Sequence, residues 1–236
     1  MVAPLAGRLP ERAFAGVLFD MDGTLIDSVA AVERSWLRWC EEFGIAPAAL
    51  AGSHGRTSAN TIAVVMADRS EADRATAHAR IGELEVADTE GIVVLPGARE
   101  ALESLDRLGV PHAIVTSCER DLAAARLAAS GLPRPSVVVT ASDVSHGKPG
   151  PEPYERGAEL LGLAPADCLV VEDATAGLVS GRAAGAGGLL AVLGTTPADV
   201  LAPDADVVLE SIADVDWALA DGAGVTLGLR TSGTRR

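Results

Sequence analysis

The run Val17-Leu18-Phe19 has no polar face. A strand of that kind is buried on both sides, which points to a parallel sheet covered by helices. It breaks off into Asp20-Met21-Asp22-Gly23-Thr24. Two carboxylates that close repel each other unless a cation or a shared proton relieves them. Mg²⁺ is such a cation, since it takes oxygen ligands and keeps several of its waters. With it in place, one carboxylate can attack a metal-bound phosphoryl group, and the other can exchange a proton with the leaving oxygen. Gly23 lets the chain turn sharply after the strand. On this stretch alone a plain reading stays open, namely an Asp-Gly turn with its carboxylates in water.

The rest of the chain repeats the theme. His112 to Ser117, Val137 to Thr140, Leu169 to Asp173, Gly188 to Leu193 and Asp206 to Leu209 are further short apolar runs. Helical stretches lie between them. Pro96-Gly97 opens one that Gly109 stops, and an Ala-rich one runs from Asp121 to Gly131. This alternation predicts an α/β fold with a doubly wound parallel sheet.

The stretch after the first strand has a different texture. Val29, Val32, Trp36, Trp39, Cys40 and Phe43 recur at helical spacing up to Gly44. A second helical patch holds Ile62 to Met66, and Ser70 caps a third helix running toward Val86. No strand is expected there. Residues 28–91 are therefore read as an all-helical insertion, a cap domain, in a core made of residues 1–27 and 92–236. The tryptophans are expected to be core of that insertion. Met1 to Ala15 reads as a loose leader, and the chain beyond Gly222 as a thinning tail.

The net charge of −14 argues against nucleic acid or an anionic membrane as a partner. It also means that an anionic substrate needs local cations. Cys40, Cys118 and Cys168 form no disulfide or zinc pattern, which suggests a reducing, cytoplasmic setting. Met1 to Ala15 lacks the apolar core of a signal peptide. No protein partner is indicated.

Ligands of an open parallel sheet sit at the carboxyl ends of its strands. Here those ends offer Asp20, then Thr116-Ser117, then the loop around Lys148, then Glu172-Asp173. Thr116 and nearby N–H groups can hold phosphate oxygens. Lys148 supplies a point charge for a phosphoryl group. Glu172 and Asp173 supply more oxygens for Mg²⁺. Each feature is common alone, but their joint order along the chain is not.

The strings Phe19-Asp-Met-Asp-Gly-Thr-Leu25, Gly147-Lys-Pro-Gly-Pro-Glu-Pro-Tyr154 and Val170-Val-Glu-Asp-Ala-Thr-Ala-Gly177 resemble motifs of the haloacid dehalogenase-like superfamily. The resemblance spans about Ala15 to Glu210 and includes the place of the helical cap. It implies a Rossmann-like core and a Mg²⁺-dependent phosphatase acting through an aspartyl-phosphate. It makes Asp20 the nucleophile and Asp22 the acid/base. Thr116, Ser117 and Lys148 would bind the phosphoryl group. Asp20, the Asp22 carbonyl, Glu172 and Asp173 would hold the metal. The cap loop His54-Gly55-Arg56 is similar to that of members acting on small sugar and polyol phosphates, and Arg56 can fork a substrate hydroxyl or phosphate. A β-phosphoglucomutase is the nearest alternative. A phosphonate hydrolase is disfavoured because the cap has no lysine. A receiver-type signalling domain would be about half as long and would lack the cap and Asp22.

Overall fold

The computed structural model describes residues 3–8, 10–51, 57–194, 196–220 and 224–230. The first half of the chain runs Ala6–Gly7 (β1), Gly16–Phe19 (β2), Ile26–Asp27 (β3), Val29–Phe43 (α1), Ser58–Val65 (α2), Glu71–Ala87 (α3), Val93–Val94 (β4) and Ala98–Leu108 (α4). The middle runs His112–Val115 (β5), Arg120–Ser130 (α5), Val137–Val139 (β6), Glu152–Leu160 (α6), Cys168–Glu172 (β7) and Thr175–Ala183 (α7). The chain then continues through Gly188–Val192 (β8), Ala198–Leu201 (α8), Val207–Leu209 (β9), Val215–Leu219 (β10) and Val225–Leu229 (β11).

A 7-stranded sheet has the order β1-β9-β8-β7-β2-β5-β6. Its strands run parallel except β1, which pairs antiparallel with β9. All the apolar runs read from the sequence are in it. β2 lies at the centre between β5 and β7, where the chain's connections diverge to either side. That divergence opens a crevice at the strand ends.

The period of two along each strand divides the core. Val17 and Phe19 join Ile114, Leu169 and Val171 on one face, with Leu102, Leu105 and Leu127 of α4 and α5. Leu18 joins Val115 and Val170 on the other, with Tyr154, Ala158 and Leu178 of α6 and α7. Both faces are covered, as a parallel sheet of this composition requires.

Two expectations are corrected. The stretch before Ala15 is not merely a loose leader. β1 adds an edge strand, and Phe14, fully buried, exchanges backbone hydrogen bonds of 2.9 and 2.8 Å with Val225. The chain past Gly222 also returns as a strand. β10 and β11 form a hairpin whose Trp217 meets Phe19 edge-on with ring centres 6.0 Å apart. Val215 and Trp217 point inward while Asp216 is exposed, an alternation too short to stand out beside the longer apolar runs. Residues 231–236 lie outside the described residues.

Helices α1–α3 carry a separate core of Trp39, Cys40, Ile62, Met66, Ala77, Ile81 and Leu84. Trp39 is fully buried and donates from Nε1 to the Ala77 carbonyl at 2.8 Å. Trp36 meets it edge-on and Phe43 lies tilted against it, so both tryptophans serve packing, as expected. Ser70 caps α3 reciprocally with Asp73. The β3–β4 pair flanks these helices along the chain. Arg34 forks onto Asp88 at 2.8 and 2.7 Å and reaches the Glu90 carbonyl at 2.6 Å. Helix α3 also packs on α5 of the core.

Candidate active site

Parallel register aligns the strand ends. Phe19 sits opposite Ile114 on one side and Val171 on the other, so Asp20 emerges level with Val115 and Glu172. The Asp20 N–H still donates to the Val171 carbonyl at 2.9 Å. The nucleophile expected from sequence is thus fixed by the sheet's own backbone.

Lys148 arrives from the loop after β6 through a cis Lys148–Pro149 bond. Its Nζ donates to Asp20 Oδ1 at 2.7 Å, Glu172 Oε1 at 2.7 Å and the Val115 carbonyl at 2.9 Å. An ammonium has three protons, so its donors all meet protein groups. Its side chain is 6% exposed and lies over the Tyr154 ring at 4.9 Å. Burial pulls the Lys148 ammonium down, but the charges of Asp20 and Glu172 push it well above its ordinary value.

Glu172 is held on both oxygens. Oε1 accepts from Lys148 and from the Tyr154 hydroxyl at 2.8 Å. Oε2 accepts from the N–H groups of Asp173 and Ala174 at 3.0 and 3.1 Å. Gly177 makes room for it, since a Cβ there would lie 1.6 Å from Glu172 Oε1. The Asp173 carboxylate is wedged in the same way. A Cβ on Gly23 would stand 2.1 Å from its Oδ2, and one on Gly194 2.3 Å. Gly23 also has φ +86, which L side chains rarely adopt.

Asp20, Glu172 and Asp173 bring carboxylate oxygens within 4.8 Å of one another, all buried. Burial first, and then the charge of Glu172, push the Asp20 carboxyl up to about 7 against the pull of Lys148. Three carboxylates facing one ammonium leave negative charge uncompensated, and every donor atom is a hard oxygen. The set therefore fits a hard divalent cation. Asp20 and Asp173 fit it as direct ligands. Glu172, whose oxygens already accept four hydrogen bonds, fits better as the residue that fixes Lys148.

Thr116 is buried at the end of β5, where its Oγ1 accepts from the Cys118 N–H at 3.1 Å. Ser117 beside it is exposed. His54, Gly55 and Arg56 lie outside the described residues.

Asp22 stands outside this cluster of carboxylates and is held by side chains around its turn. Its Oδ1 accepts from Ser28 Oγ at 2.6 Å and from Arg126 Nη1 at 2.8 Å. Its Oδ2 accepts from Cys118 Sγ at 3.2 Å. Sequence reasoning missed Arg126. The one signal was its position, for it falls on the buried stripe of α5 with Leu122, Ala123 and Leu127. Tyr154 closes the string around Lys148, and only the structure shows its hydroxyl on Glu172.

The family model described as haloacid dehalogenase-like hydrolase matches residues 14–185. Hexitol phosphatase A of Escherichia coli (strain K12) is 48% identical over 202 residues, covering 85% of this chain and 92% of that protein. Validoxylamine A 7'-phosphate phosphatase of Streptomyces hygroscopicus subsp. limoneus is 34% identical, covering 85% of this chain and 95% of that protein. Among solved structures, a hydrolase from Pseudomonas syringae superposes with a TM-score of 0.72 at 27% identity, covering 84% of this chain and 94% of that one. The chain belongs to the haloacid dehalogenase-like hydrolases and is an enzyme of that family.

Proposed function

We propose that this hydrolase is a Mg²⁺-dependent phosphatase for a small polyol or sugar phosphate, with hexitol phosphates as the first candidates. The observation that carries the reading is the buried group of Asp20, Lys148, Glu172 and Asp173 at the carboxyl ends of neighbouring parallel strands. The hexitol preference leans on the 48% identical relative.

Asp20 attacks phosphorus, and the bond to the ester oxygen breaks as Asp22 gives that oxygen a proton. The products are a free alcohol and a phosphate carried on Asp20. Asp22, now a carboxylate, takes a proton from water, and the resulting hydroxide displaces Asp20 to give inorganic phosphate. Lys148 neutralises Asp20 and holds it in line. Thr116 and the turn after it bind phosphoryl oxygens. A bound Mg²⁺ supplies charge neutralisation at the phosphoryl oxygens. Residues 28–91 act as a cap over a core of residues 1–27 and 92–236, and the loop with His54, Gly55 and Arg56 reads the substrate's far end. The ligand is a small-molecule ester, with no nucleic acid, membrane or protein partner called for. A cytoplasmic setting suits cysteines that are all unpaired.

The test is phosphate release from a panel of hexitol, glycerol, hexose and nucleotide monophosphates, with and without Mg²⁺. The reading expects hexitol and related polyol phosphates to lead, activity to vanish after chelation, and Mg²⁺ but not Ca²⁺ to restore it. Full activity after exhaustive chelation would overturn the metal requirement. Conversion of a sugar phosphate to its positional isomer without phosphate release would favour the mutase alternative.

A further inference from the structure

Arg126 is a buried cation without a part in the chemistry above. Its side chain is 6% exposed, although it sits on a helix otherwise rich in alanine. Nη1 donates to Asp22 Oδ1 at 2.8 Å and to Cys118 Sγ at 3.3 Å. Nη2 donates at 3.3 Å to Oε1 of Glu85, which lies near the end of α3 in the helical layer. The Glu85 side chain is only 12% exposed. One guanidinium thus bridges a core carboxylate and a carboxylate of the insertion.

A planar guanidinium with two parallel edges fixes direction as well as charge, which a lysine ammonium does not. Burial and the neighbouring carboxylates make the pair costly to break from one side, because the survivor is left as an uncompensated buried charge. Burial pushes the Glu85 carboxyl up while Arg126 pulls it back. Burial pulls Arg126 down, but Asp22, Cys118 and Glu85 push it net upward. Asp22 is gripped at Oδ1 by two donors and at Oδ2 by a third. Its orientation therefore depends on groups beyond its own turn.

We propose that Arg126 is the positioning residue for Asp22, and that Glu85 of the helical insertion aims Arg126, so that the insertion takes part in orienting the proton-transfer group of the core. This deepens the phosphatase reading and rests on Asp22 being its acid/base. Neither Arg126 nor Glu85 needs to touch the phosphoryl group.

The consequence separates two kinds of substrate. Expulsion of an alkoxide from a polyol phosphate needs the proton from Asp22. Expulsion of p-nitrophenolate needs little help. For a reaction through a covalent intermediate, kcat/KM reports only the steps up to leaving-group release, whereas kcat includes hydrolysis of the intermediate. Misplacing Asp22 should therefore lower kcat/KM for the alkyl ester and spare it for p-nitrophenyl phosphate. On the aryl ester kcat should fall, with KM falling alongside, because water activation also uses Asp22.

The experiment compares the parent with Arg126→Ala, Arg126→Lys and Glu85→Gln on both esters at saturating Mg²⁺, with circular dichroism confirming that each is folded. The alkyl ester is the most active polyol phosphate of the panel. For Arg126→Ala the loss in kcat/KM should be about tenfold or more on it, a part of the roughly 10²–10⁴-fold that a general acid–base group commands, and under about threefold on p-nitrophenyl phosphate. Glu85→Gln, which keeps the side chain's size, should show the same pattern with smaller losses. Arg126→Lys, which keeps the charge, should recover part of what Arg126→Ala loses. Equal losses on the two esters in the folded variants would overturn the proposal and leave Arg126 a structural residue. No loss in Glu85→Gln would overturn the cap's share in it. If the parent releases no phosphate from any ester, the phosphatase reading itself fails, which is a different result.

Discussion

The two carboxylates of the Asp20-Met21-Asp22 turn are two residues apart and are held by different means. Asp20 is fixed by sheet register, by a backbone hydrogen bond to Val171, and by Lys148. Its neighbours Glu172 and Asp173 are set by backbone N–H groups and by glycines that leave room for them. The Asp22 carboxylate is held by side chains, and one of them, Arg126, is itself held by Glu85 of α3. On the proposed mechanism, the groups that attack and carry charge sit on the rigid element, and the group that exchanges protons is held by side chains. Rigid support for the charge cluster suits a reaction that depends mainly on positioning and neutralisation.

The strongest way to test the rigid side is Asp20→Asn. It removes the proposed nucleophile and metal donor without touching core packing. Turnover should fall by at least about 10³-fold, as expected when a covalent route is lost, while the circular dichroism spectrum stays that of the parent. Residual activity within tenfold in a folded sample would show that Asp20 is not the attacking group.

Gly177→Ala probes the same side one step out. The added methyl would stand 1.6 Å from Glu172 Oε1, so the carboxylate has to leave its place. Lys148 and Tyr154 would then lose their shared acceptor. Losing such a supporting group typically costs about 10–100-fold in activity or metal affinity. Orphaning a buried polar partner costs about 1–3 kcal/mol besides, seen as a lower melting temperature. An Ala variant with parent activity and Mg²⁺ affinity would mean that the Glu172 arrangement is dispensable, and the contrast between the two carboxylates would lose one of its terms.

How far the sequence could be read follows the same division. Asp20, Thr116, Glu172 and Asp173 were legible because each lies within a residue or two of an apolar run that announces a strand, and Lys148 because of its Gly-Lys-Pro string. Strand ends in a parallel sheet converge, so order along the chain became nearness in space. Arg126 was not legible, for its partners Asp22 and Glu85 lie 104 and 41 residues away. Only its place on the buried stripe of α5 hinted at a role. The β10–β11 hairpin escaped for a related reason. Its inward residues are few, and what stabilises it is contact with Phe14 and Phe19 from the other end of the chain.

The last prediction concerns pH and touches stability rather than rate. In the folded, metal-free protein the Asp20 carboxyl is pushed up to about 7, whereas in an unfolded chain it titrates near 4. Between those values the folded state holds a proton that the unfolded state has released. Stability therefore falls as pH rises through this window, and the loss is complete above the folded value. Asparagine has nothing to titrate. In chelator, the melting temperature of Asp20→Asn relative to the parent should climb from about pH 4 to about pH 8. Excess Mg²⁺ should reverse the trend, because the cation favours ionised Asp20 in the folded state alone. Glu85 supplies the contrast, since its upward shift comes from burial and is offset by Arg126 rather than by the cation site. The pH dependence that Glu85→Gln removes should be the same with and without Mg²⁺. Parallel curves for parent and Asp20→Asn in chelator would show that Asp20 ionises in the folded protein as freely as in water. The case for a cation there would then rest on the oxygen donors alone.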